Sequence, residues 1–252
     1  MKVFIINLAR SVERRESIEK QLNKLHLPYE FIEAIDGHTL TLEEIRQHTR
    51  PLNYAFKLGE IGCSLSHLKV YREICERGIP KALILEDDAQ LTDDLPLVLN
   101  ELSKIIKADT PSITLLTYSR QYAAKAKYKI LPQYALHTLV DGELAHGYVI
   151  TASAAKKALD VLYPVWMVAD KWKIFREYSI AKLYAVIPSV INLSQFSKES
   201  TINNDLEASI SDEYYQKILL PNLKNLEREK IDKKQPIYIK IKRFLERVKI
   251  SV

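Results

Sequence analysis

Three consecutive carboxylates, Glu86-Asp87-Asp88, follow the apolar run Ala82-Leu83-Ile84-Leu85. Adjacent like charges repel, and a cation among them relieves the repulsion. A hard divalent ion, Mn²⁺ or Mg²⁺, takes one or two protein carboxylates and completes its shell with water and substrate phosphates. In an extended segment, residues i and i+2 point the same way, so Glu86 and Asp88 share a face while Asp87 opposes them. The plain alternative is a solvated acidic turn that lends negative charge to the start of the next helix. Position favours a site, because ligands of open α/β sheets bind beyond the carboxyl ends of the strands.

Alternating strands and helices must place these acids. Lys2–Leu8 reads as a buried strand, and Ser11 stands where a helix cap is needed. Tyr29–Ile35 is a second strand that ends at Asp36-Gly37. Thr41 and Glu44 have the spacing of a capping box. In LGEIGCSLSHLKVYREICERG, Ile61, Leu65, Leu68 and Ile74 recur at helical spacing, and Gly78 follows as a C-cap. After the strand Lys81–Leu85 and the acids, Asp93 or Asp94 opens a helix towards Lys107, and Ser112–Tyr118 is a strand. Arg120–Leu136 is polar and lysine-rich and includes loops. His137–Val140 and His146–Thr151 are strands, Ser153–Leu162 a helix, and Ala181–Ile187 and Ser189–Leu193 strand-like. The pattern predicts an α/β sheet, parallel in its first half and mixed in its second.

Composition narrows the class. The 252 residues, 47% hydrophobic, suffice for one large core. Residues 224–252 hold ten Lys/Arg against four Asp/Glu, so the tail carries more than the whole net charge of +5. A near-neutral body argues against a nucleic-acid-binding core. The expected organisation is one domain over 1–223 with a basic tail over 224–252. From Pro236, Ile237, Ile241, Phe244, Leu245 and Val248 form an apolar stripe flanked by Lys240, Arg243 and Arg247. Such a helix either packs on the domain or lies on an anionic membrane surface. The apolar run before Arg10 is too short for a signal peptide or membrane span. Cys63 and Cys75 read as reduced thiols that pack a helix, which suggests a cytoplasmic protein, with the tail as its route to the inner membrane face.

Several chemistries place acids after a strand. A phospho-acceptor receiver or an aspartyl phosphatase has them after the first strand, whereas about 80 residues precede them here. A nucleotide-sugar transferase has them after a mid-domain strand. A nucleotidyl- or phosphotransferase remains a further reading, as does an inactive sugar-binding relative.

The segments IINLARSVERR, LGEIGCSLSHLKVYREI, ALILEDDAQL, HGYVITASAAKKAL and SQFSKESTI occur in that order over residues 1–202. Together they resemble glycosyltransferase family 25, the enzymes of bacterial lipooligosaccharide synthesis and relatives of collagen galactosyltransferases. The resemblance implies a GT-A-type (Rossmann-like) mixed sheet flanked by helices. It implies transfer of a hexose, galactose first, from a UDP-sugar donor to a lipid-linked oligosaccharide acceptor with inversion, using Mn²⁺. By position, Glu86 and Asp88 would hold the metal, with Asp88 the direct ligand. Asn7, Arg10, Arg14, Gly59, Glu60, Gly62, Asp87 and Gln195 would bind the donor, with Ser197 and Ser200 completing the donor or metal site. Inversion requires a general base. Asp170, between Trp166 and Trp172 on whose rings sugar faces could stack, is the first choice and Glu143 the second; the alternative for Asp170 is a helix cap, and for the tryptophans core packing. His67 reads as a core histidine, and Ser66 as its neighbour on the same helix.

Overall fold

The computed structural model describes residues 1–50, 53–55, 57–198 and 250–251. Strand β1 (Lys2–Asn7) leads into helix α1 (Val12–Lys24), strand β2 (Glu30–Glu33), a 3-10 turn (Gly37–Thr39) and helix α2 (Leu42–His48). Helix α3 (Leu58–Glu76) and strand β3 (Lys81–Glu86) follow, then β4 (Ala89–Leu91), helix α4 (Leu95–Ile105) and β5 (Ser112–Leu115). Short strands β6 (Gln121–Ala123) and β7 (Tyr128–Leu131) precede β8 (Tyr134–Asp141), β9 (Gly147–Thr151), α5 (Ala152–Leu162) and α6 (Trp172–Glu177). The remaining elements are β10 (Lys182–Ile187), β11 (Ile191–Leu193), a 3-10 turn (Gln195–Lys198) and β12 (Ile250–Ser251).

The large sheet runs β12-β6-β8-β10-β5-β9-β3-β1-β2, with β7 also paired to β8. β1 is parallel to β2 and β3, as the alternating pattern predicts. Antiparallel β9 lies between β3 and β5 and turns the second half into the expected mixed sheet. Val3 and Ile5 face one core with Leu83 and Leu85, against α1 and α4. Phe4 and Ile6 face the other with Ala82 and Ile84, against α3 and α5. Strands buried on both faces read as unbroken apolar runs for this reason. Each fully buried Leu or Ile contributes about 1.5–3 kcal/mol.

Helix ends follow local chemistry. The Thr41 hydroxyl accepts the Glu44 N–H, and the Glu44 carboxylate accepts the Thr41 N–H at 2.8 Å, completing the capping box. Gly78 takes φ +60 after α3, a conformation open to glycine at no steric cost. Ser11 occupies the cap position of α1, but its hydroxyl makes no cap hydrogen bond. The lysine-rich stretch also holds β6 and β7, short strands paired to β8 in which only Ile130 is buried. No helix among the described residues is long and apolar enough to cross a membrane. The amphipathic helix expected over 236–248, the domain boundary at 223/224 and Ser200 lie outside the described residues.

Candidate active site

The carboxyl ends of β1 and β3 lie side by side, with Ile6 opposite Glu86. Two cavities open there and share Cys63, Glu86 and Asp88 as a common wall. The first is bounded by Arg10, Arg14, residues 34–38 and Gly59, with Asp87 and Ser197. The second is bounded by Glu60, Leu144–His146 and Val168–Asp170. All three acids line the first cavity and Glu86 and Asp88 also line the second; Asp87 and Asp88 lie in the turn between β3 and β4, not on the extended segment the sequence suggested.

Each acid has different surroundings. Asp87 is paired: Asn7 Nδ2 donates to its Oδ2 at 2.8 Å, and Arg14 donates to its Oδ1 at 3.2 Å. Burial still raises its carboxyl above the ordinary value, although Asn7 and Arg14 pull the other way. Glu86 lies 3.1 Å from His67 Nε2. Burial acts to raise its carboxyl, but the His67 hydrogen bond and nearby His67, His146 and Arg14 carry it below the ordinary value. Among the described residues Asp88 has no such partner. Its Oδ1 is buried without a hydrogen bond, and burial with the charges of Glu86 and Asp87 pushes it up to about 7. The Asp88 backbone is fixed beside the antiparallel pair of β4 and β11, where the Ser194 N–H donates to its carbonyl at 2.8 Å. An orphaned carboxylate oxygen among further acids is the arrangement a hard divalent cation relieves, so the residues present fit such an ion.

The proposed donor residues fall into two groups. Arg10 pairs with Asp36 on the rim of the first cavity. Arg14 also donates to the Phe196 carbonyl at 2.8 Å, which ties α1 to the last described turn. Asn7 lies behind the cavity, where it holds Asp87 and the Ser11 carbonyl. Gly59 lines the first cavity, whereas Glu60 lines the second and accepts the Lys57 N–H at the start of α3. Gly62, expected to bind the donor, instead lets α3 approach the chain's own backbone: a Cβ there would come within 2.5 Å of the Ile35 carbonyl and 2.6 Å of Gly37 N. Gln195 is exposed and outside both linings, while Ser197 lines the first. Ser66 accepts the Ile35 N–H and donates to the Gly62 carbonyl, locking β2 to α3.

Asp170 lies in the second cavity, and it does not cap α6, whose cap position is Lys171. Its Oδ2 accepts the Leu144 N–H at 3.1 Å. Trp172 Nε1 donates to the Leu144 carbonyl at 2.9 Å, so Leu144 is clamped from both sides at φ +67. Trp166 and Trp172 are core residues, 5% and 0% exposed, and offer no face for sugar stacking. Glu143 is exposed and outside both cavities.

His67 and Cys63 gain importance over their reading as packing, and His146 over its reading as the start of a strand. His67 is 2% exposed, yet its Nδ1 is 2.7 Å from the Tyr148 hydroxyl and its Nε2 reaches Glu86. Cys63 lies one helical turn earlier; its thiol, the imidazole and the Glu86 carboxylate bring ligand atoms within 4.8 Å of one another. The i, i+4 spacing of a cysteine and a histidine was the available signal. His146, 3% exposed, lines the second cavity with neither ring nitrogen hydrogen-bonded, and burial lowers its basicity although Glu86 opposes this.

Comparison with known proteins agrees with this architecture. The chain is 29% identical to procollagen galactosyltransferase 1 of Danio rerio over 175 residues, 63% of this chain and 28% of that protein. It is 31% identical to putative glycosyltransferase R655 of Acanthamoeba polyphaga mimivirus over 173 residues, 64% of this chain and 52% of that one. It is 29% identical to inactive glycosyltransferase 25 family member 3 of Homo sapiens over 129 residues, 48% of this chain and 22% of that one. The chain thus spans at most about half the length of these relatives. Residues 1–172 match the model of glycosyltransferase family 25 (LPS biosynthesis protein), and the chain belongs to that family.

Proposed function

We propose that the protein transfers a hexose, galactose first among the choices, from a UDP-sugar to a hydroxyl of a lipooligosaccharide glycan, with inversion and with Mn²⁺ or Mg²⁺. The observation that carries this reading is Asp88: a buried, unpartnered carboxylate oxygen on the wall shared by two cavities. Galactosyl transfer is named in the collagen-modifying relative, and lipopolysaccharide synthesis in the family description. The peripheral membrane contact through the basic tail belongs to the same proposal.

The donor is assigned to the first cavity. Arg10 and Arg14 supply positive charge for the diphosphate, and residues 34–38 give the nucleotide a close-fitting wall. Asn7 holds Asp87 in register with Arg14, so the guanidinium is aimed and not merely present. Glu86 and Asp88 would hold the divalent ion, which when bound stabilises charge on the departing diphosphate. The acceptor is assigned to the second cavity. Leu144 N–H engages one oxygen of Asp170, leaving the other to take the proton of the attacking hydroxyl. Inversion by direct displacement requires base and leaving group on opposite faces of the anomeric carbon, which a donor in the first cavity and an acceptor in the second would supply.

The test is release of UDP from UDP-galactose, UDP-glucose and UDP-N-acetylhexosamines, with and without Mn²⁺ and candidate glycans. Metal-dependent release that rises with an acceptor and is lost in Asp88→Ala supports the proposal. Consumption of a nucleoside triphosphate, or UDP and glycan binding without turnover, sinks it.

A further inference from the structure

We propose that Cys63, His67 and Glu86 form a second cation site, selective for thiophilic divalent ions such as Zn²⁺, that borrows Glu86 from the proposed nucleotide-metal site. Cys63 and His67 stand four residues apart on α3 and share one face. Their sulfur and nitrogen, with a Glu86 oxygen, lie within 4.8 Å of one another. Zinc bonds of about 2.0–2.3 Å put tetrahedral ligand atoms about 3.4–3.8 Å apart, so modest side-chain adjustment closes the set and leaves a fourth position for water.

The imidazole is already braced for this role. A metal-bound histidine is normally oriented by a partner on its other ring nitrogen. Here that partner is the Tyr148 hydroxyl, 2.7 Å from Nδ1, itself 2.8 Å from the Tyr71 hydroxyl. The ring also stacks on Tyr148. Glu60, Glu86, Asp88 and Asp170 all act electrostatically on Cys63, and the field that opposes a thiolate attracts a dication.

The step balances as follows. In the metal-free protein Nε2–H donates to Glu86 and the Tyr148 O–H to Nδ1. On binding, the thiol proton leaves to solvent and the ring proton moves to Nδ1, donating to the Tyr148 oxygen. Tyr148 turns its own proton to the Tyr71 oxygen. Thiolate, Nε2 and carboxylate hold the ion, with one proton released. Mn²⁺ and Mg²⁺, which prefer oxygen donors, gain little from the thiol. A filled site withdraws Glu86 and so inhibits the enzyme; this consequence alone rests on the transferase reading.

The experiment titrates Co²⁺, as the spectroscopic substitute for Zn²⁺, into the full-length metal-free protein. The expected result is a thiolate-to-cobalt charge-transfer band that Zn²⁺ displaces stoichiometrically. The band is lost in Cys63→Ser, retained in Cys75→Ser and weakened about 10-fold or more in affinity by Tyr148→Phe, the usual effect of removing an outer partner. No band in folded wild-type protein, or an unchanged band in Cys63→Ser, overturns the site. In the UDP-release assay, Zn²⁺ inhibition should require at least about 10-fold more ion in Cys63→Ser, a reading of the same binding step. A band without any sugar transfer refutes the transferase and leaves the site; transfer without a band does the reverse.

Discussion

Replacing Asp88 by Asn should remove activity while making the metal-free protein more stable. The carboxyl is held at about 7 against an ordinary 3.8, by burial and by Glu86 and Asp87. At about 1.4 kcal/mol per pKa step, the ionised form costs the fold at most about 4 kcal/mol. Relaxation and sharing of the proton with Glu86 reduce this, and about 1–2 kcal/mol is the expected gain. For a chain of this size that is about 3–6 °C in Tm. The sign follows from linkage: a carboxyl raised in the fold penalises the folded state above its pKa, and the penalty fades as pH falls from about 7 towards 4. Glu30 behaves oppositely. Arg77 and Lys2 hold it down to about 2, so its contribution is present above the ordinary carboxyl range and is lost on strong acidification. The assay is thermal unfolding in chelator at pH 8 and pH 5. Asp88→Asn should melt higher than wild type at pH 8 and by a clearly smaller margin at pH 5. With Mn²⁺ at pH 8 the wild type should gain and the variant should not. A variant that melts lower at pH 8 in chelator would refute the electrostatic reasoning.

Asp170→Asn keeps an acceptor for the Leu144 N–H but no base, so kcat should fall about 10²- to 10⁴-fold while UDP affinity by calorimetry stays level. Transfer within tenfold of wild type would remove Asp170 from the chemistry. Gly62→Ala places a methyl against two backbone atoms, and denaturant unfolding should show a loss of about 1–3 kcal/mol. Leu144, at φ +67, should prefer Gly to Ala by about 1 kcal/mol, the reverse of the order at ordinary positions. Comparing urea midpoints of the two variants checks this; Ala above Gly would contradict the assigned backbone.

Local signals in the sequence were sufficient for much of the scaffold. Periodicity placed α3 and its Gly78 cap, Thr41 with Glu44 announced α2, and the apolar run of β3 led to the acids. Insertion of antiparallel β9 between β3 and β5 had no local signal, because residues 113–115 pair with residues more than thirty positions away. Within the site, the acids and Asp170 were legible as residue types at a strand end and in a loop. Their individual partners were not. His67 was rightly read as buried, but its bond to Glu86 spans 19 residues and exists only once α3 packs beneath β3. The tryptophans beside Asp170 suggested a sugar platform, and burial instead put both in the core, where Trp172 shapes Leu144.

The contact of Gly62 with Ile35 and Gly37 also bears on how the protein could change its specificity. Gly37 is equally constrained, since a Cβ there would overlap the Leu58 carbonyl. The first cavity therefore has one wall, residues 35–37, held against α3 by main chain on main chain. The other is walled by Leu144–His146 and Val168–Asp170, loop residues whose side chains can vary without moving the sheet. Adaptation to new glycans should concentrate in that second wall while the donor preference stays fixed. A saturation library at Leu144, Val168 and Ala169 would then yield variants with altered acceptor choice and the parental nucleotide sugar.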